Sequence, residues 1–323
     1  MIKFERFQLQ NGLRVLVHED HSTPMVVVNV LYDVGARDED PNKTGFAHLF
    51  EHLMFGGSVH IGDFETPLQL AGGENNAYTT NDFTNYYIQL PAENIETAFW
   101  LESDRMLSLA FNEKSLEVQR KVVVEEFKEH YINKPYGDVW FKMRQLAYKE
   151  HPYRWMTIGS ELSHIEQARL EDVKQFFFKY YRPANAILVV AGKVGAAQVK
   201  ELAEKWFGNI PAGEKYSRDL PREPRQHEVR RLEVKADVPL DALYKCYHMA
   251  SRTEPGNHIH LIGCIHGALL YAAKRWCPST MTYFVPSLMT VIGSSSPWMP
   301  MLCVSVLTWS GSVSRVPNEN SRT

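Results

Sequence analysis

Along the chain, apolar positions recur in two ways: every second residue in short runs, and every third or fourth in longer ones. Residues 4–18 read as two strands turning at Asn11-Gly12, a dipeptide suited to a tight hairpin. Met25 to Gly35 is β-branched and nearly all apolar, as a buried strand would be. A polar loop from Ala36 to Thr44 follows. From Gly45 the apolar residues take helical spacing, and the pair Gly56-Gly57 supplies a C-terminal stop. Residues 64–72 predict a second short helix, and residues 75–80 and 83–90 a hairpin joined through Asn81-Asp82.

Helical spacing returns at 93–109, 113–132, 138–149, 171–181 and 196–207, with a strand at 186–192. Prolines and glycines among charges make 208–226 a linker, and 227–236 and 242–250 read as two more strands. Helices and hairpins are interspersed without regular βαβ alternation. The expected fold class is therefore α+β, a largely antiparallel sheet flanked by helices.

The pattern breaks in the tail. From Trp276 to Ser314 there is no charged residue, and neither period holds. Serines and prolines interrupt the apolar runs, which argues against a membrane span. The composition suggests a coding error or frameshift after about His258, the alternative being a genuine but unusual C-terminal segment.

Composition changes this picture little. At 323 residues there is room for two domains, and 44% hydrophobic with 23% charged residues is ordinary for a globular protein. A formal net charge of -3 offers no basic footprint, so nucleic acid is excluded as the expected partner. The four cysteines form no C-x-x-C pair, which argues against a disulfide framework or a cysteine metal site. The first residues carry no basic-then-apolar leader. The expected compartment is cytoplasmic, or periplasmic if the true start lies elsewhere.

The chemistry concentrates in His48-Leu49-Phe50-Glu51-His52. On a helix these two histidines lie one turn apart, and Glu51 shares their face. Two imidazoles so placed can grip one metal ion while the carboxylate reaches a water on it, the H-x-x-E-H arrangement. The bland alternative is a pair of core histidines bonded to backbone carbonyls. A catalytic metal needs a third protein ligand from another element. The 113–132 helix offers Glu125 and Glu126, adjacent residues about 100° apart on a helix, and spacing alone does not choose between them.

The run from Gly35-Ala36-Arg37-Asp38-Glu39-Asp40-Pro41 through Thr44 to Ser58 resembles the pitrilysin/insulinase family of zinc peptidases, in the style of its bacterial and mitochondrial processing members. Asn76-Ala77-Tyr78-Thr79, Asp82-Phe83-Thr84-Asn85-Tyr86-Tyr87, Glu125-Glu126, His151-Pro152-Tyr153 and Tyr180-Tyr181-Arg182-Pro183-Ala184-Asn185 continue the likeness in order, over about residues 4–250. The resemblance implies Zn2+ as cofactor, with His48, His52 and Glu126 as ligands and Glu51 as general base. It implies that Asn76 and Ala77 lie on an edge strand that binds the substrate backbone, the alternative being a plain structural hairpin. Gln119 stands where the family often has a supporting glutamate, so any charge it would bring is missing.

These matches imply a zinc-binding catalytic domain over 1–215, the start of a second homologous domain over 216–258, and the anomalous tail over 259–323. In the family that second domain supplies an arginine and a tyrosine close together. No such pairing follows Ser251, so the second domain is expected to be incomplete. The implied function is a zinc-dependent metalloendopeptidase acting on peptides or unfolded proteins. The rival expectation is a weakly active or non-catalytic partner subunit in a homo- or heterodimer with a related chain.

Overall fold

The computed structural model describes residues 2–238, 240, 242–250, 292–294 and 304–311. The chain divides into two units, one of residues 1–128 and 155–219, the other of 129–154 and 220–323. The expected tail at 259–323 lies largely outside the described residues.

In the first unit, β1 (Glu5–Gln8) and β2 (Arg14–Glu19) form the expected hairpin, followed by β3 (Met25–Tyr32). The helices α1 (Phe46–Leu53) and α2 (Glu65–Leu70) precede the hairpin of β4 (Glu74–Thr79) and β5 (Thr84–Pro91). Next come α3 (Ile95–Leu107) and α4 (Glu113–Phe127). The predicted 113–132 helix ends earlier, because its last stretch, Lys128–Ile132, widens into a π turn. In the second unit, α5 (Val139–Ala147) is the helix expected at 138–149.

The first unit resumes with α6 (Leu162–Glu166), a single turn too short to leave a period in the sequence. After it come α7 (Leu170–Tyr180), β6 (Ala186–Gly192) and α8 (Ala196–Phe207). The six strands pair in the order β1-β2-β6-β3-β5-β4. Only β2–β6 is parallel, so the sheet is largely antiparallel with helices packed on it, as expected.

Burial explains why β3 and β6 are central. Along β3, Val26, Val28, Val30 and Tyr32 are fully enclosed, and Ala186, Leu188 and Val190 match them on β6. Helix α3 packs against β3, β5 and α8, while α1 lies beside the edge strand β4. This placement brings a polar helix face next to an open sheet edge.

The linker 208–226 has no helix or strand beyond the turn that closes α8. In the second unit, β7 (Arg230–Ala236) and β8 (Ala242–Ala250) join β9 (Ile292–Ser294) and β10 (Val304–Gly311) in the order β7-β10-β8-β9. Val139, Met143, Ala147 and Tyr148 pack there with Val238 and Cys246. Among the described residues no helix is long and apolar enough to cross a membrane.

Candidate metal centre

Helix α1 is amphipathic in the required sense. Phe46, Ala47, Leu49, Phe50 and Leu53 are buried at 0–6% exposure, leaving His48, Glu51 and His52 on the opposite stripe. Its first residue follows Gly45, which adopts a φ of 89° where an L side chain would be strained. Gly45 has no side chain to cap the helix. Glu39 does so from upstream, accepting from the Gly45 N–H at 2.9 Å and the Ala47 N–H at 2.8 Å. Burial pushes the Glu39 carboxyl up to about 8, and the two N–H bonds pull it back.

The imidazoles of His48 and His52 meet edge to face, with centroids 4.8 Å apart. Glu126, in the last turn of α4, brings Oε2 to 3.4 Å from His52 Nε2 and 3.7 Å from His48 Nε2. Bonds of about 2.1 Å at tetrahedral angles put neighbouring ligand atoms roughly 3.4 Å apart. Both distances to Glu126 match that spacing, and the three donors all lie within 4.8 Å of one another, a group that could hold one metal ion. Burial lowers the His48 pKa to about 4, with Glu126 opposing and His52 assisting, so the ring is neutral and its lone pair is available at neutral pH. His48 Nδ1 is buried without a hydrogen-bond partner among the described residues.

Glu125 points elsewhere. Its side chain is 71% exposed and bonds Lys128 Nζ at 2.7 Å. The geometry therefore chooses Glu126 for the cluster where the spacing of residues did not. Gln119 is half-buried on α4, two turns before Glu126.

Glu51 sits on the same stripe of α1 and accepts from Thr79 Oγ1 at 2.6 Å. Burial raises its pKa and the threonine bond opposes the shift. Thr79 is two residues after Ala77 on β4, so both face the same way. That alternation is the signal by which the sequence could have assigned Thr79 a role. A cavity of about 230 Å³ opens between Glu51 and His52 of α1, Phe55 in the turn after it, Glu65 of α2 and Asn75–Ala77 of β4.

Asn76 and Ala77 lie on the edge strand as expected, opposite Tyr87 and Tyr86 of β5. The ladder alternation turns the N–H and C=O of Ala77 toward the open side. The Ala77 N–H is covered by Asn76 Oδ1 at 2.8 Å.

Two family matches cover well over half of the chain. Residues 14–157 match the insulinase domain (peptidase family M16), and residues 167–260 match the peptidase M16 inactive domain. A zinc protease of Helicobacter pylori, PqqE, is 35% identical over 240 residues, 73% of this chain and 54% of that one. The mitochondrial-processing peptidase subunit beta of Saccharomyces cerevisiae is 29% identical over 64% of this chain and 45% of its own length. The chain spans about half the length of these curated relatives. A protease structure from Helicobacter pylori superposes with a TM-score of 0.72 at 33% identity, over 79% of this chain and 62% of that one. The periplasmic protease PqqL of Escherichia coli shares the fold at a TM-score of 0.71 and 20% identity, over 84% of this chain and 31% of its own.

Proposed function

Because the chain belongs to the insulinase family of M16 peptidases, we propose that it is a zinc-dependent endopeptidase of peptides or unfolded proteins. The observation that carries this reading is the convergence of His48, His52 and Glu126 beside Glu51. The cofactor is Zn2+, held by His48 Nε2, His52 Nε2 and a Glu126 carboxylate oxygen. Two imidazoles and one carboxylate with room for a fourth ligand suit a catalytic rather than a structural zinc. When bound, Zn2+ supplies Lewis acidity, lowering the pKa of a coordinated water from about 15.7 to about 7 and polarising the scissile carbonyl.

The chain's own residues do the rest. Thr79 engages Glu51 Oε2, which leaves Oε1 to take the proton of the attacking water and pass it to the leaving amine. An extended peptide adds to the free edge of β4, taking over the Ala77 N–H that Asn76 Oδ1 covers. Main-chain bonds of this kind hold the substrate with little regard to its sequence.

Glu51→Gln is expected to keep its zinc, read by metal analysis, and to lose more than about 100-fold in hydrolysis of an unstructured peptide. Undiminished hydrolysis would remove Glu51 as the base. A second reading, in which the chain works with a related subunit, is supported by the likeness to a protein named as a subunit. Zinc-loaded chain inert alone but active after mixing with that subunit would favour it.

A further inference from the structure

The stretch Gly35–Glu39 supplies none of the three metal-facing residues and none of the residues lining the cavity, yet it contacts the elements that carry both. We propose that it is a brace that sets the spacing between the metal helix α1 and the edge strand β4, with Arg37 and Glu39 as positioning residues. This rests on the metallopeptidase reading above.

One end of the brace holds the tip of the β4–β5 hairpin. The Ala36 N–H donates to the Thr80 carbonyl at 3.1 Å and the Arg37 N–H to the Asn81 carbonyl at 2.9 Å. Arg37 Nη1 adds a bond to Asp82 Oδ1 at 2.7 Å. The approach is too close for a side chain at position 35. A Cβ on Gly35 would lie 2.6 Å from backbone atoms of Thr80 and Asn81. The residue before Thr80 is Thr79, whose hydroxyl holds Glu51.

The other end holds α1. Both carboxylate oxygens of Glu39 are used on the first turn of that helix, and the side chain is almost fully enclosed. Between the two ends the loop is pinned. Trp155 Nε1 donates to the Ala36 carbonyl at 2.8 Å, and Tyr180 Oη to the Asp38 carbonyl at 2.8 Å. Asp38 Oδ2 accepts the Gly35 N–H at 3.0 Å, and Asp38 Oδ1 accepts from Arg218 Nε at 2.7 Å. A rigid five-residue link therefore runs from the substrate edge to the helix bearing His48, Glu51 and His52. Displacement at either end should alter a different property of the site.

The test separates the two ends. In the full chain, Glu39→Gln is expected to weaken zinc binding about tenfold in a chelator competition and to shift the visible spectrum of the cobalt-substituted protein. Its affinity for peptide, once loaded, should stay unchanged. Arg37→Met is expected to keep zinc affinity and cobalt spectrum while weakening peptide binding several-fold, and Arg37→Lys should restore part of the loss. Peptide binding is read by fluorescence anisotropy on the zinc-loaded Glu51→Gln background, so turnover is not needed. Should Glu39→Gln fail to fold, Glu39→Asp keeps the carboxyl group, shortens the reach and should show the same spectral shift. Wild-type zinc affinity, cobalt spectrum and peptide affinity in every folded variant would overturn the brace. A wild-type chain that takes up no zinc would instead overturn the metallopeptidase reading beneath it.

Discussion

Thr79 Oγ1 lies 2.6 Å from Glu51 Oε2, so the edge strand and the acid of the metal helix are joined by one short hydrogen bond. A hydrogen bond to a charged group contributes about 1.5–3 kcal/mol, and 1.4 kcal/mol is about tenfold in rate. Thr79→Val keeps the shape of the side chain and removes the donor. It should lower kcat about tenfold while leaving zinc content unchanged, and Thr79→Ser should recover most of the activity. A Thr79→Val enzyme with wild-type kcat would show that Glu51 needs no such support.

Glu125 and Glu126 are neighbours with opposite fates. Glu126 meets both histidines, while Glu125 pairs with Lys128 in solvent. Glu126→Ala removes one of three protein donors and should weaken zinc binding by more than about 100-fold, beyond the range typical of outer-sphere partners. Glu125→Ala loses only a surface ion pair, worth about 0–1 kcal/mol, and should hold zinc as wild type does. The reverse result in an equilibrium dialysis experiment would exchange the two roles.

These two relationships show what the sequence made legible. His48, Glu51 and His52 were readable because helical periodicity fixes which residues share a face. The hairpin of β4 and β5 was readable from alternation around Asn81-Asp82, while the edge position of Asn76 and Ala77 came only from the family resemblance. Periodicity did not choose between Glu125 and Glu126, and only the family resemblance named Glu126, since the choice depends on the angle at which α4 passes α1, a tertiary quantity. Glu39 and Arg37 stayed silent for a related reason. Their partners are backbone groups and an aspartate brought near by folding, which leave no spacing rule behind.

Beneath the cavity wall lies a buried ion pair. Arg105 and Glu102 are 1% and 0% exposed, and Arg105 Nε meets Glu102 Oε2 at 2.9 Å. The guanidinium also stacks 4.6 Å from the Tyr86 ring centroid and 4.7 Å from that of Phe64. Removing one partner strands the other charge in an apolar setting, at a cost of about 3–5 kcal/mol. Glu102→Gln should therefore destabilise the protein by that amount in urea unfolding. The double substitution Glu102→Met with Arg105→Met should cost far less than the single change. A single substitution as mild as the double one would mean the pair contributes no charge complementarity.

His248 gives the second unit a pH dependence whose sign is fixed by burial. Its Nε2 lies 2.9 Å from the Ala147 carbonyl, and the ring packs edge to face on Tyr148. Burial lowers its pKa below the ordinary 6.5; the Ala147 carbonyl and Glu223 oppose the shift, and Arg230 adds to it. The native state thus holds this histidine neutral, while the unfolded chain takes up a proton near 6.5. The unfolded state binds more protons below that point, so this contribution to stability is complete above about pH 6.5 and is lost as pH falls toward the depressed native value. His248→Gln keeps an N–H for the Ala147 carbonyl but does not titrate. Between about pH 7 and pH 5 its urea midpoint should fall less than that of wild type. Parallel pH profiles for the two proteins would place the acid sensitivity on another group.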